Sequence, residues 1–160
     1  MKTSEPTNPW DAVFKERGRV FTQPHEEMPR LAKMMRRRGA TSILDLGSGT
    51  GRHIIYFAGQ GFSVYGLDAS IEGIHLAQAW LRQEGLEADL RLGNMTDPLP
   101  YAAQAFDAVI SVQVIHHATK AEIEALVCEL YRVLRPGGHL LVTVPTLRDQ
   151  AENYEEIEPG

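Results

Sequence analysis

From residue 42 onward, short apolar runs alternate with longer stretches in which apolar residues recur every three or four positions. Runs of the first kind predict buried strands, and stretches of the second predict helices packed by one face. The predicted strands are 42–46, 62–67, 88–92, 106–112 and 139–144. The predicted helices between them are 51–60, 70–84 and 120–134. Ile54, Ile55 and Ala58 mark the inner face of the first helix, and Ile74, Ala77 and Leu81 that of the second. Ile123, Leu126, Val127, Leu130 and Leu134 mark that of the third. Ser70 reads as an N-cap, Gly61 and Gly85 as helix stops, and Arg135-Pro136-Gly137-Gly138 as a turn. Strand–helix alternation with short apolar strands predicts an α/β fold: a three-layer α/β/α sandwich on a mainly parallel, doubly wound sheet of about five strands.

The ends of the chain read differently. Residues 1–9 are polar and proline-containing, a loose tail and not a signal peptide. Trp10, Phe14 and Phe21 stand among charges with no clear strand or helix period. Residues 26–38 look helical, with Met28, Leu31 and Met35 on one face and Gly39 as a stop. Residues 149–160 hold five acids, no bases and no apolar pattern, and read as an extended or disordered tail. The expected organisation is a segment with a covering helix over 1–40, the α/β domain over 41–148 and the acidic tail over 149–160.

Composition narrows the class. Of 160 residues, 43% are apolar and 23% charged, as in a soluble globular domain. The net charge of −5 gives no sign of a nucleic-acid binder. The charge is uneven: residues 1–40 carry +4, including Lys33 and Arg36-Arg37-Arg38, and the remainder carries −9. Cations at the end of a helix suit its dipole, so that run reads first as a solvated helix end. The one cysteine, Cys128, excludes an internal disulfide and is expected in the core. No apolar run reaches the ~18 residues of a membrane span. A cytoplasmic setting is the expectation.

The candidate chemistry sits at the end of the first predicted strand. Leu44-Asp45-Leu46-Gly47-Ser48-Gly49-Thr50-Gly51 carries three glycines at alternate positions, just after an acid. Glycines let a backbone approach a bound molecule, and the helix start that follows offers free N–H groups. A second acid, Asp68, ends the second strand, 23 residues after Asp45. A carboxylate there can accept hydrogen bonds from both hydroxyls of a ribose. Dinucleotide folds instead leave two residues before the last glycine and seat a pyrophosphate on the helix N-terminus. A carboxylate at Asp45 would repel a pyrophosphate and attract an ammonium. A ligand with an amino-acid end and an adenosine end satisfies both acids, which points to S-adenosylmethionine.

These residues resemble the first motif of the class I S-adenosylmethionine-dependent methyltransferases. The resemblance continues through Val64-Tyr65-Gly66-Leu67-Asp68-Ala69-Ser70, Gly93-Asn94-Met95, Phe106-Asp107-Ala108-Val109-Ile110-Ser111 and Val133-Leu134-Arg135-Pro136-Gly137-Gly138. It implies that Asp45, Gly47 and Gly49 face the methionine half of the cofactor, that Ser48 also binds the cofactor and that Asp68 holds the ribose. It further implies that Ala69 and Ser70 flank the adenine edge and that Asn94 and Met95 meet the base. Ser111 and Val112 would line the floor near the sulfonium. The product would be S-adenosylhomocysteine.

The expected acceptor is a small molecule, with neither nucleic acid nor membrane as partner. A base for its proton is sought in His116 and His117, just after the fourth strand. Two adjacent histidines are poor zinc spacing, so no metal is expected. In relatives a helix before the first strand covers the cofactor and helps build the acceptor pocket, a part that Trp10, Phe14, Arg19 and Phe21 would take. The family sheet has seven strands, and only five are predicted here. That shortfall would leave 139–144 as an exposed edge, open to association with a second copy. Two other readings stay open: a non-catalytic S-adenosylmethionine-binding or oligomerisation module, and a nicotinamide-dependent oxidoreductase.

Overall fold

Ser42–Leu46 forms strand β1 at the centre of the sheet, and all five of its residues are buried. The computed structural model describes residues 8–146. Four further strands are β2 (Ser63–Asp68), β3 (Asp89–Leu92), β4 (Phe106–Val112) and β5 (Leu134–Thr143). They lie in the order β3-β2-β1-β4-β5, and every pairing is parallel. The order reverses at β1, between β2 and β4, which is where open α/β sheets bind ligands. The helices are α1 (Pro9–Arg17), α2 (Met28–Arg37), α3 (Arg52–Ala58), α4 (Ile71–Glu84) and α5 (Lys120–Val133), with one turn of 3₁₀-helix at Ile115–His117.

Alternate side chains of the strands feed two cores. On one face Ile43, Val64, Ala108 and Ile110 pack against Met28, Leu31 and Met35 of α2, Ile54 and Phe57 of α3 and Leu81 of α4. On the other, Leu44, Leu46, Leu67 and Val109 pack against Leu126, Leu130 and Val133 of α5. A sheet covered on both faces explains why its central strands are rich in apolar residues on both sides and show no strict alternation.

Four details differ from expectation. The segment beginning at Trp10 contains a helix, α1. Asn8 caps it through a 2.9 Å bond to the Trp10 N–H, Pro9 starts it, and Gly18 closes it at φ +65°. Only Phe14 is buried along it, so it carries no apolar stripe. The strand expected from residue 139 begins at Leu134. Leu134 pairs with Phe106 and His139 with Ala108, so residues 135–138 bulge opposite Asp107. Cys128 is exposed and not in the core. It stands two positions from both Leu126 and Leu130, on the opposite face of α5. The remaining element ends move by at most two residues, and the acidic tail lies outside the described residues.

The bulge is held by a clasp. Asp107 Oδ2 accepts the N–H groups of Thr41 and Ser42 at 2.8 and 2.9 Å and the Ser42 hydroxyl at 3.0 Å. Its Oδ1 accepts the Arg135 guanidinium at 2.6 Å. One carboxylate thus joins the starts of β1, β4 and β5. Among the described residues β5 is an edge strand, and Leu140 on it and Val144 just after it are half exposed.

Candidate functional site

The glycine loop follows β1 and turns into α3. Gly47, Gly49 and Gly51 all have φ between +51° and +93°, a region that side chains resist. The Gly47 and Ser48 N–H groups donate to the Leu67 carbonyl, which ties the loop to the end of β2. A Cβ on Gly51 would lie 2.8 Å from the Ala77 Cβ, so that glycine lets α4 close against the loop.

Two acids flank the loop. Asp45 is 2% exposed, and neither carboxylate oxygen has a hydrogen-bond partner. A buried carboxylate left in this way is costly unless a cation or donor meets it. Asp68 is placed otherwise. Its Oδ2 accepts the Gly49 N–H at 2.6 Å and its Oδ1 the Ser70 N–H at 2.8 Å. Burial raises its pKa above the ordinary value, those two hydrogen bonds oppose the rise, and the charges of Asp45 and Asp11 add to it. Both oxygens keep lone pairs for further donors.

Ser111 and Val112, at the end of β4, are buried, and the Ser111 hydroxyl has no partner. Ser48 likewise has a buried hydroxyl without a partner. Ser70 Oγ accepts the Gly73 N–H at 3.0 Å as the cap of α4, and the neighbouring Ala69 is exposed. Asn94 is exposed, and its side-chain oxygen accepts the Thr96 N–H at 3.1 Å. Met95 packs against the α5-side core. The structure therefore gathers Asp45, Gly47, Ser48, Gly49, Asp68, Ser111 and Val112 around the ends of β1, β2 and β4. Ala69, Ser70, Asn94 and Met95 follow β2 and β3.

Helix α1 lies over the loop. Phe14 is buried, with its ring 3.6 Å from where a Gly49 Cβ would stand and 3.2 Å from where a Gly73 Cβ would stand. Trp10 stacks on Phe14 at 5.5 Å and meets His117 edge-on at 6.3 Å. His116 and His117 lie 4.0 Å apart, and His116 Nδ1 is buried without a partner. Burial, and then the neighbouring His117, lower the His116 pKa from its ordinary 6.5. These aromatics and both histidines thus form one cluster above the loop.

Arg19 and Phe21 stand apart from that cluster. The Arg19 guanidinium lies 4.7 Å over the Trp80 ring and donates to Gln83, on the outer side of α4. Phe21 is half exposed under the Arg52 guanidinium, 5.1 Å away.

Three residues at this end of the sheet were not foreseen in these positions. Val114 crosses the loop: a Cβ on Gly47 would come within 2.4 Å of it. Gln113, at φ +61°, makes the turn that aims it there. His53 is 3% exposed, and its Nδ1 lies 3.5 Å from Asp45 Oδ2. The available signal was a histidine two residues past the last glycine, on the face of α3 toward β1.

The site residues fit the expected cofactor where the test is strictest. The orphaned Asp45 carboxylate matches an ammonium, and the open backbone of the loop matches a ligand lying against it. Among the described residues no group of three His, Cys, Asp or Glu is placed to hold a metal. No helix among them is long and apolar enough to cross a membrane.

Residues 43–138 match the family model described as "Methyltransferase domain". A ubiquinone biosynthesis O-methyltransferase of Brucella anthropi is 31% identical over 100 residues, covering 62% of this chain and 39% of that protein. A probable tRNA methyltransferase 9B of Bos taurus is 30% identical over 130 residues, covering 80% of this chain and 27% of that protein. The chain thus spans less than half the length of these curated relatives. The solved DhpI–SAM–HEP complex superposes with a TM-score of 0.65 at 25% identity, over 92% of this chain and 70% of that one. With the sheet order, the glycine loop and the family match in agreement, the chain belongs to the methyltransferase-domain family, of the class I S-adenosylmethionine-dependent type.

Proposed function

We propose that this chain is the catalytic domain of an S-adenosylmethionine-dependent methyltransferase with a small-molecule acceptor. The observation that carries the reading is the buried Asp45 carboxylate, unpartnered beside a glycine loop at the switch point of the sheet. When bound, the cofactor supplies an already activated methyl group on a sulfonium. Asp45 binds the ammonium, and Asp68 accepts from the ribose hydroxyls. Met95 lies along the base, and Ser111 and Val112 form the floor. Trp10 and Phe14 exclude water, which favours a reaction in which charge is lost from sulfur. His116, kept neutral by its surroundings, accepts the acceptor's proton as the new bond to carbon forms.

Titration calorimetry with S-adenosylhomocysteine and with NAD tests the cofactor. Binding of S-adenosylhomocysteine in the micromolar range, weakened by Asp45→Asn and Asp68→Asn, is expected. Tight binding of NAD alone overturns the reading. Transfer of a labelled methyl group to a panel of phenols, thiols and amines tests the acceptor. Binding with no transfer by the longer natural protein would favour a non-catalytic module.

One observation favours a larger acceptor. Arg30, Lys33, Met34, Arg37 and Arg38 line a groove of about 390 Å³ on α2, and one relative is named for tRNA. The groove shares no residue with the glycine loop, so it would position a macromolecule and not the reacting atom. Salt-dependent retention of tRNA, lost when Lys33 and Arg37 become Ala, would support that acceptor. The half-exposed edge of β5 is the surface through which we place any self-association, and sedimentation as a pure monomer at high concentration would exclude it. A cytoplasmic setting is consistent with the free, exposed Cys128.

A further inference from the structure

The loop between α1 and α2 reaches the buried end of β1 through one histidine. His53 Nε2 accepts the backbone N–H of His25 at 3.2 Å. A neutral imidazole that accepts at one nitrogen carries its proton on the other. The proton therefore sits on Nδ1, the nitrogen facing Asp45 Oδ2 at 3.5 Å. That separation is short enough for charge–dipole attraction and too long for a full hydrogen bond. His53 and Asp45 are both buried, so water does not screen the contact.

We propose that His53 is a positioning residue for Asp45: the His25 N–H fixes the ring so that Nδ1–H holds Oδ2, leaving Oδ1 to receive the ammonium of the methyl donor. The inference rests on the cofactor reading above. It makes the α1–α2 loop part of the site without contact to the ligand. Arg52, the residue before His53, supports the arrangement: it donates to the Gln23 carbonyl at 3.4 Å and lies over Phe21, so both helix-start residues grip the same loop. A buried side chain locked by a second contact holds a binding group more firmly than packing alone.

The test compares two ligands on the intact chain. S-adenosylhomocysteine has the ammonium end, and 5′-methylthioadenosine has the same nucleoside and sulfur without it. His53→Leu is expected to weaken S-adenosylhomocysteine by about 10-fold, the low end for a contact to a charged group because this one is long, and to leave methylthioadenosine within about 3-fold. His53→Asn, whose amide nitrogen takes the place of Nδ1, is expected to restore most of the loss. Equal weakening of both ligands, or no rescue by Asn, overturns the proposal. Long-range ¹H–¹⁵N spectra of the wild-type chain read the tautomer without any substitution, and a proton on His53 Nε2 would also overturn it. If the wild-type chain binds neither ligand, the cofactor reading itself has failed. If it binds both and the His53 variants do not discriminate, only this inference has.

Discussion

Ser70 donates its hydroxyl to Asp11 across 2.5 Å, joining the cap of α4 to the first turn of α1. The same Asp11 oxygen accepts the Glu72 N–H at 3.2 Å. The two helices are far apart in sequence, and with the Phe14 contact at Gly73 this carboxylate is what seats α1 over the glycine loop. Asp11→Ala is expected to lower stability by about 1–3 kcal/mol, the cost of orphaning half-buried donors to a charged group. Asp11→Asn keeps an acceptor and should cost less. Urea unfolding of the three proteins measures both. No difference between Asp11→Ala and wild type would show that α1 is held by its apolar contacts alone.

Gly51 offers a steric test. A Cβ there meets Ala77 at 2.8 Å, and φ is +93°. Gly51→Ala is expected to cost about 1–3 kcal/mol through overpacking, with a further backbone penalty. Adding Ala77→Gly removes the clash and leaves the backbone strain. The double variant should therefore recover part of the loss. Full recovery would mean the dihedral is not strained, and none would mean the contact is not limiting.

The acid limb of the stability curve should depend on Glu129. Hydrogen bonds from the Arg132 guanidinium at 2.7 Å, and from the Leu99 N–H at 2.7 Å, bring its pKa down to about 2 from 4.5. A carboxylate depressed by folding stabilises fully above its unfolded pKa and loses that contribution as the pH falls through the folded one. The window here runs from about pH 4.5 down to about pH 2. Asp107 acts in the same sense: burial alone would raise it, but the Ser42 and Thr41 amides and Arg135 hold it well below the carboxylate range. Glu129→Gln should flatten the fall of urea midpoints across that window. An unchanged slope would place the acid sensitivity elsewhere.

His116 should titrate below 6.5, chiefly because burial disfavours its charge and secondly because His117 lies beside it. Its folded pKa is the lower one, so the folded state binds this proton more weakly, and stability is lost as the pH falls through 6.5. Histidine proton resonances across a pH series measure the midpoint. His117→Ala should move it partway back toward 6.5, leaving the part due to burial. A midpoint at or above 6.5 would remove His116 as the neutral base proposed above.

Where burial is deep and two-sided, the chain declared its structure openly. β1 and β4 are buried at nearly every position because both faces are covered, and they were placed to the residue. The positions of Asp45 and Asp68 were legible for the same reason: an acid in the last two residues of a buried strand stands out. Helix α1 was not, because it buries Phe14 alone and its signals were the local ones, an Asn8 cap, Pro9 and Gly18. The onset of β5 was hidden by a bulge whose Arg-Pro-Gly-Gly sequence is also that of an ordinary turn. Arg19 and His53 show the limit for site residues. Arg19 looked placed for the acceptor but stacks on Trp80, and His53 reads as a plain helix residue until its distance to Asp45 is known. Sequence spacing carries the strand ends, while side-chain direction comes only with the packing.

The central place of β1 also sets how long each part of the pocket persists. Amide hydrogens in a strand buried on both faces and paired on both edges exchange with solvent mainly when the whole domain opens. The strand that carries Asp45 is of that kind, and β3, which leads to Asn94 and Met95, pairs on one edge only among the described residues. On the proposed reading, the amino-acid side of the pocket would thus rest on a central strand of the described sheet, and the base side on its border, which frays sooner. If the cofactor lies as proposed above, release of its nucleoside would begin from the border, with the acid end the last to let go.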